Sequence, residues 1–236
     1  MTPPSSSAGK FIDVEGIDGS GKQTQVSLLA RELDSRGYKV LSTGFPQYKS
    51  WFGGMVGQFL NGDLGPLRTV DPHFAALLYA GDRFECKQPI VDALARGGVV
   101  LTDRYVASSL AHQTARSAPE KRAEFRAWIE HLEYGIYGLP KEDLVVYLRV
   151  PPHVSQTLVA KKSARAYTDS AHDILEADIH HLQDAADMYD ALARDSHWKT
   201  IECYDRDTNA IRAPEAIASE VLAAVLPCLA SMKEHR

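Results

Sequence analysis

The 236-residue sequence predicts a three-layer, doubly wound α/β fold built on a parallel sheet. Three observations carry that expectation. Strand-like and helix-like segments alternate along the chain, an order that closes most simply with helices on both faces of one sheet. Residues 99–102 (VVLT) and 144–150 (LVVYLRV) are short, Val- and Leu-rich apolar runs, the pattern of central strands covered on both faces. A first strand at 11–15 (FIDVE) breaks into Gly16, Gly19 and Gly21 immediately before a helical pattern begins.

The elements follow in order. Val26, Leu29, Ala30 and Leu33 recur at helical spacing behind the glycines, and Gly37 supplies a left-handed stop. Residues 40–45 read as a second strand. Asp71-Pro72 is a helix start, an acceptor side chain at the N-cap followed by a proline suited to the first turn, and that helix should run to about Glu85. Gly97-Gly98 closes the next helix, and 198–204 reads as a last strand. With no internal repeat or low-complexity linker, residues 10–230 form a single domain, between a disordered Pro/Ser arm at 1–9 and a tail at 231–236. The polar, basic segment 161–172 (KKSARAYTDSAH) reads as a mobile lid over the active edge of the sheet.

Charge and cysteine content exclude several classes. Lys and Arg total 26 against 31 Asp and Glu, so a net charge of −5 provides no global positive field for nucleic acid or an anionic membrane. An anionic ligand needs a local basic site. Cys86, Cys203 and Cys228 are odd in number, widely spaced and without a zinc-type pattern, which fits a reducing compartment. The N-terminus lacks a signal-peptide pattern, and the apolar stretch 221–226 is too short to span a bilayer, so a cytoplasmic location is expected.

Residues 16–25 (GIDGSGKQTQ) fit G-x-x-x-x-G-K between a strand and a helix, the position of a phosphate-binding loop. Gly16, Gly19, Ser20 and Gly21 let the backbone curl so that its N–H groups face phosphate oxygens, and Lys22 reaches the β- and γ-phosphates. Gln23 stands where Ser or Thr commonly ligates magnesium, so either the following Thr24 or an acidic side chain must hold the metal. Asp103-Arg104-Tyr105 lies at the carboxyl end of an apolar strand, where doubly wound sheets place their ligands. There Arg104 faces phosphates, and Asp103 can hold Mg²⁺ or orient the arginine. Lys161, Lys162 and Arg165 can add charge for phosphoryl transfer, although a basic segment of this kind also reads as a solvated surface loop.

From residue 11 to the last helix the chain resembles the thymidylate kinase family of P-loop nucleoside monophosphate kinases. EGIDGSGKQTQ resembles its phosphate loop, which implies that Asp18 is the carboxylate beside the acceptor phosphate. FPQY, with Phe45 and Tyr48, is similar to the second-strand motif. LLYAGDRFE resembles the helix whose aromatic residue stacks on thymine and whose arginine reaches the base, roles that fall on Tyr79 and Arg83. DRYVASSLAHQ resembles the segment in which Arg104 contacts the acceptor phosphate while Ser109 and Gln113 face the base. Ser20 occupies a position where one subgroup carries a catalytic arginine, so the resemblance assigns that role to the lid and to Arg165. His112 stands where a tyrosine commonly approaches the 2′ carbon of the sugar, and Arg149 where Asp is frequent.

A flat ring site made of Tyr79, Phe45, Arg83 and Gln113 is also reasonable physically, though Tyr79, at helical spacing with Leu78 and Phe74, equally suits a core position. The implied activity is Mg-ATP-dependent phosphorylation of thymidine monophosphate by a homodimer. The alternatives are a kinase for another nucleoside monophosphate or a nucleoside, and a P-loop regulatory ATPase switch. A degenerate binding module is disfavoured by the intact Lys22 and Arg104.

Overall fold

Lys10–Glu15 forms β1, the central strand of a five-stranded sheet ordered β2-β3-β1-β4-β5, with every neighbouring pair parallel. The other strands are β2 (Val40–Gly44), β3 (Val99–Asp103), β4 (Leu144–Arg149) and β5 (Trp198–Glu202). The helices are α1 (Lys22–Ser35), α2 (Trp51–Asn61), α3 (Pro72–Glu85), α4 (Lys87–Ala95), α5 (Val106–Ala115), α6 (Arg122–Glu130), α7 (Pro152–Val159), α8 (Ile179–Leu192) and α9 (Pro214–Lys233). This computed structural model describes residues 9–159, 175 and 178–233. Residues 1–8 of the arm expected at 1–9 and the expected lid at 161–172 lie outside the described residues, whereas Gly9 donates to the Leu94 carbonyl at 3.0 Å and α9 runs on to Lys233, into the tail expected at 231–236.

The local signals act where the sequence places them. Asp71 caps α3 by accepting from the backbone N–H of His73 at 2.7 Å, with Pro72 at the first helical position. Gly37 takes φ 84° behind α1. The last strand stops at Glu202, earlier than expected, because Tyr204 and Asp205 turn into a short antiparallel hairpin with Ala210 and Ile211.

Two cores sandwich the sheet. On one face Phe11, Val100, Val145 and Tyr147 pack with Leu110 and Ala111 of α5 and Ala185 and Tyr189 of α8. On the other, Ile12, Val14, Leu101 and Val146 pack with Leu29 and Leu33 of α1 and Val221, Val225 and Leu229 of α9. Over Pro214–Met232 α9 is long and apolar enough, by length and composition, to cross a membrane. Reading only the unbroken run at 221–226 understated it, because alanines and leucines spread around the helix raise its average. Its stripe of Ile217, Val221, Val225, Leu229 and Met232 is nevertheless seated on the sheet.

Helix α1 leaves β1 toward one face and α5 leaves β3 toward the other, while Val14 and Asp103 sit level in adjacent strands. The chain therefore opens a crevice at the carboxyl ends of β1 and β3, the place where such sheets bind ligands.

Strand β1 also carries what its apolar neighbours do not announce, since Asp13 and Glu15 are fully buried on the α5–α8 face. Asp13 Oδ1 accepts from the Thr102 hydroxyl at 2.8 Å, but Oδ2 has no partner among the described residues. Burial, reinforced by the charges of Glu15 and Glu142, raises the Asp13 pKa well above the ordinary carboxylate value. A raised carboxyl pKa contributes stability that is full below the unfolded-state value near 3.8 and is lost as pH rises through the folded-state value. Asp13→Asn should therefore be more stable than the native chain at pH 8 by roughly 1–3 kcal/mol, with the difference closing toward pH 4. Urea denaturation across that range measures it, and a constant difference would refute the burial argument.

Candidate active site at the carboxyl edge of the sheet

The loop between β1 and α1 is shaped by three glycines at positive φ, Gly16 at 144°, Gly19 at 80° and Gly21 at 91°. At Gly16 a Cβ would stand 2.6 Å from the Leu148 carbonyl oxygen, so the loop can lie against β4 only without a side chain there. Gly21 caps α1 without a side-chain hydrogen bond, leaving the first-turn N–H groups for an anion. Lys22 is buried, and its ammonium donates to the Gly16 and Ile17 carbonyls at 3.0 and 3.1 Å, folding the side chain back across the loop. Burial first, then the nearby Arg104 charge, lowers its pKa to about 8. Gln23 and Thr24 are exposed on the first turn, whereas Ser20 is buried with its hydroxyl unpartnered among the described residues.

Across the crevice Arg104 sits at the β3–α5 junction with φ 70°, a strained conformation for a non-glycine residue. Its N–H donates to the Val14 carbonyl at 3.2 Å, which ties the junction to β1. Its guanidinium donates to Asp18 at 2.5 Å, to the Ser108 hydroxyl at 3.2 Å, to His112 Nε2 at 3.4 Å and, at 3.5 Å, to the Gly16 carbonyl. Asp18 is itself fixed, since its carbonyl accepts from the Ser155 hydroxyl of α7. Asp103 ends β3 beside this group, close enough for its charge to act on Lys22 and Arg104.

The side expected to receive the base is built from α3 and α5. Tyr79 and Tyr48 are half-buried and border a small cluster of Val56, Phe59, Leu60, Leu78 and Leu175; the Tyr79 ring meets Phe59 edge-on at 6.3 Å. Tyr79 therefore shares the character of a core residue and a pocket wall. Phe45 is buried, its ring 5.9 Å from Tyr105. Arg83 is only 1% exposed and donates from Nε and Nη2 to Glu133 at 2.6 and 2.5 Å, from Nη1 to the Tyr105 carbonyl at 3.1 Å, and from Nη2 to Ser109 at 2.5 Å. Those bonds engage every N–H of the guanidinium except one on Nη1. Gln113 is buried and its oxygen accepts from Arg116 at 2.7 Å. Lys161, Lys162 and Arg165 lie outside the described residues.

Several supporting residues escaped sequence reasoning. Glu133 comes from a π-helical turn at His131–Ile136, with nothing local to connect it to Arg83 fifty positions away. Asp82 accepts from the Gln47 backbone N–H and the Ser50 hydroxyl at 3.0 Å each, holding the loop that carries Phe45 and Tyr48. Arg116 and His181 were equally hidden. Glu15 alone had a signal, a carboxylate at the end of an apolar strand.

A glycine-cradled lysine facing a clamped arginine across the switch point of a parallel sheet defines a P-loop phosphotransferase. The thymidylate kinase profile matches residues 14–211. The chain is 35% identical over 188 residues to a thymidylate kinase of Mycobacterium tuberculosis, covering 78% of this chain and 85% of that one. It is 31% identical over 224 residues to a probable thymidylate kinase of Pyrobaculum calidifontis, covering 94% and 99%. The thymidylate kinase structure from Candida albicans shares the fold with a TM-score of 0.71, at 20% identity over 97% of this chain and 94% of that one. The chain belongs to the thymidylate kinase family, the enzymes that phosphorylate thymidine monophosphate to its diphosphate.

Lys22→Ala should reduce turnover by at least about a hundredfold while leaving acceptor affinity within about threefold, the outcome expected of the lysine of a phosphate-loop motif. In the native enzyme kcat/KM for ATP should fall as pH rises through about 8, as Lys22 loses its proton in the free enzyme. Steady-state kinetics on both substrates check the two statements together.

Proposed function

We propose that Lys22 and Arg104 divide the charge of the reaction between them, Lys22 on the donor phosphates and Arg104 on the acceptor phosphate. The observation that carries this reading is the Arg104–Asp18 pair, 2.5 Å apart, which joins the end of β3 to the phosphate loop. An acceptor phosphate is the natural competitor for that guanidinium, and Asp18 then stands beside it. An acceptor oxygen attacks the γ-phosphorus in line as the bond to the bridging oxygen of ADP breaks. No covalent intermediate on the protein is needed, because positioning and charge screening account for phosphoryl transfer. Arg165, which lies outside the described residues, is assigned the remaining transition-state cation.

Magnesium suits the residues present. It takes oxygen ligands and commonly keeps a carboxylate or two alongside substrate phosphates. Asp103 offers a carboxylate whose charge already reaches Lys22, and Thr24 offers a hydroxyl on the first turn of α1. When bound, the ion neutralises and orients the donor phosphates.

The base pocket is rich in donors. Gln113 has its oxygen occupied by Arg116 and turns its NH₂ elsewhere, and Arg83 retains one N–H. Both suit the carbonyls of thymine or uracil and oppose the amino group of cytosine. The thymine methyl adds about 1 kcal/mol in an apolar pocket, whereas facing two donors costs about 1–3 kcal/mol. A coupled ADP-release assay should therefore rank thymidine above deoxyuridine monophosphate by less than about tenfold, with deoxycytidine monophosphate a further ten- to hundredfold behind. His112 near the sugar should loosen discrimination against uridine monophosphate. A preference for deoxycytidine monophosphate would refute the assigned roles of Arg83 and Gln113.

We also place the enzyme in the cytoplasm as a homodimer. Trp51 (71% exposed) on α2 and Phe74, Leu77 and Phe84 (49%) on α3 are exposed apolar side chains that a second copy would cover. Phe84→Glu should shift the mass measured by light scattering from dimer to monomer.

A further inference from the structure

Arg104 is an obligate donor, and this settles the protonation of two histidines behind it. His112 Nε2 lies 3.4 Å from Arg104 Nη1 and can only accept, so its proton resides on Nδ1. His112 Nδ1 lies 3.3 Å from His181 Nε2, which must therefore accept in turn. Both rings are buried, so neither can exchange its role for a hydrogen bond to water. Arg104, His112 and His181 thus form a one-directional chain from the β3–α5 junction to the first turn of α8.

We propose that His181 is a positioning residue for the phosphoryl acceptor: by accepting the His112 Nδ1 proton it keeps the His112 Nε2 lone pair aimed at Arg104 and so holds the guanidinium in place. Without that acceptor His112 is free to adopt the other tautomer, which sets an N–H against the guanidinium and turns an attraction into a repulsion. The effect is expected in acceptor binding, since the histidine pair is bonded to Arg104 while Lys22 is bonded to the Gly16 and Ile17 carbonyls. Helix α8 begins at His181's own turn, capped by Asp178, whose carboxylate accepts from the His180 and His181 backbone N–H groups at 3.0 and 3.2 Å. The chain of bonds consequently reports the seating of that turn to the arginine. The inference rests on the assignment of Arg104 to the acceptor phosphate made above.

His181→Leu removes the acceptor at similar size, and His181→Gln restores one through its side-chain oxygen. The expected result is a rise of about tenfold in KM for thymidine monophosphate in the leucine variant, with KM for ATP within about twofold, and recovery to within about threefold in the glutamine variant. Equal losses in both variants, no loss in the leucine variant, or a parallel rise in KM for ATP would overturn it. Long-range ¹H–¹⁵N spectra of the native enzyme provide a measurement independent of the variants' folding. They should show His112 protonated on Nδ1 alone, and an Nε2-protonated His112 overturns the chain. If Arg104→Met leaves acceptor KM unchanged while those spectra stand, the role of Arg104 is wrong and the tautomer chain is right.

Discussion

One buried carboxylate fastens the site together. Glu15, at the last position of β1, accepts from the Tyr105 backbone N–H at 2.9 Å, the Ser108 hydroxyl at 2.8 Å and the Tyr189 hydroxyl at 2.7 Å. These donors come from the β3–α5 junction, the first turn of α5 and the middle of α8, so a single side chain sets the relative height of three elements. A charge carried this deep is tolerable only with such a set of donors, and losing one would leave it undersatisfied. Because Tyr105 follows Arg104, the strained φ of Arg104 is enforced from both sides, by Glu15 holding the next residue and Val14 holding its own N–H.

The base side has a comparable anchor in Arg83 and Glu133. Burial works against the arginine's charge, but the paired carboxylate overrides it and keeps the guanidinium protonated. A buried pair of this kind adds little net stability, yet removing one partner costs about 3–5 kcal/mol by stranding the other. Its effect is to immobilise Ser109 and the Tyr105 carbonyl together, so that the surroundings of the proposed base site are rigid without a contribution from a nucleotide. Rigidity already established in the protein need not be supplied from binding energy.

The fold was legible because burial on two faces leaves a plain record. The apolar runs at β3 and β4, the Asp71-Pro72 cap and the Gly37 stop each act where they are read, and the phosphate loop lies between strand and helix as its motif requires. The positions of the motif residues were legible for the same reason, since Gly16 and Lys22 lie at the β1–α1 junction and Arg104 at the β3–α5 junction, whatever their roles. What stayed hidden were partners brought in from distant segments. Glu133 and His181 have no local pattern, because a side chain that satisfies a buried charge is selected by three-dimensional proximity and not by periodicity. Asp13 is the opposite case, a polar residue inside a strand whose period-two placement put it on the buried face regardless.

The two cations of the site are balanced in different ways. Arg104 is paired with Asp18, while Lys22, which donates to the Gly16 and Ile17 carbonyls, is held less firmly in its charged form. The two cations are thus in different conditions. Lys22, folded on its own loop, gains most when donor phosphates supply the anions that burial has taken away. Arg104 must exchange one anion for another, so its gain depends on how well it is aimed. Donor affinity should accordingly follow local charge, and acceptor affinity the geometry of the groups behind Arg104. That asymmetry follows from placing one cation on a helix N-terminus and the other on a strained strand end, and under the proposed division of roles it makes the network of Glu15, Ser108 and His112 as much a part of acceptor recognition as the arginine itself.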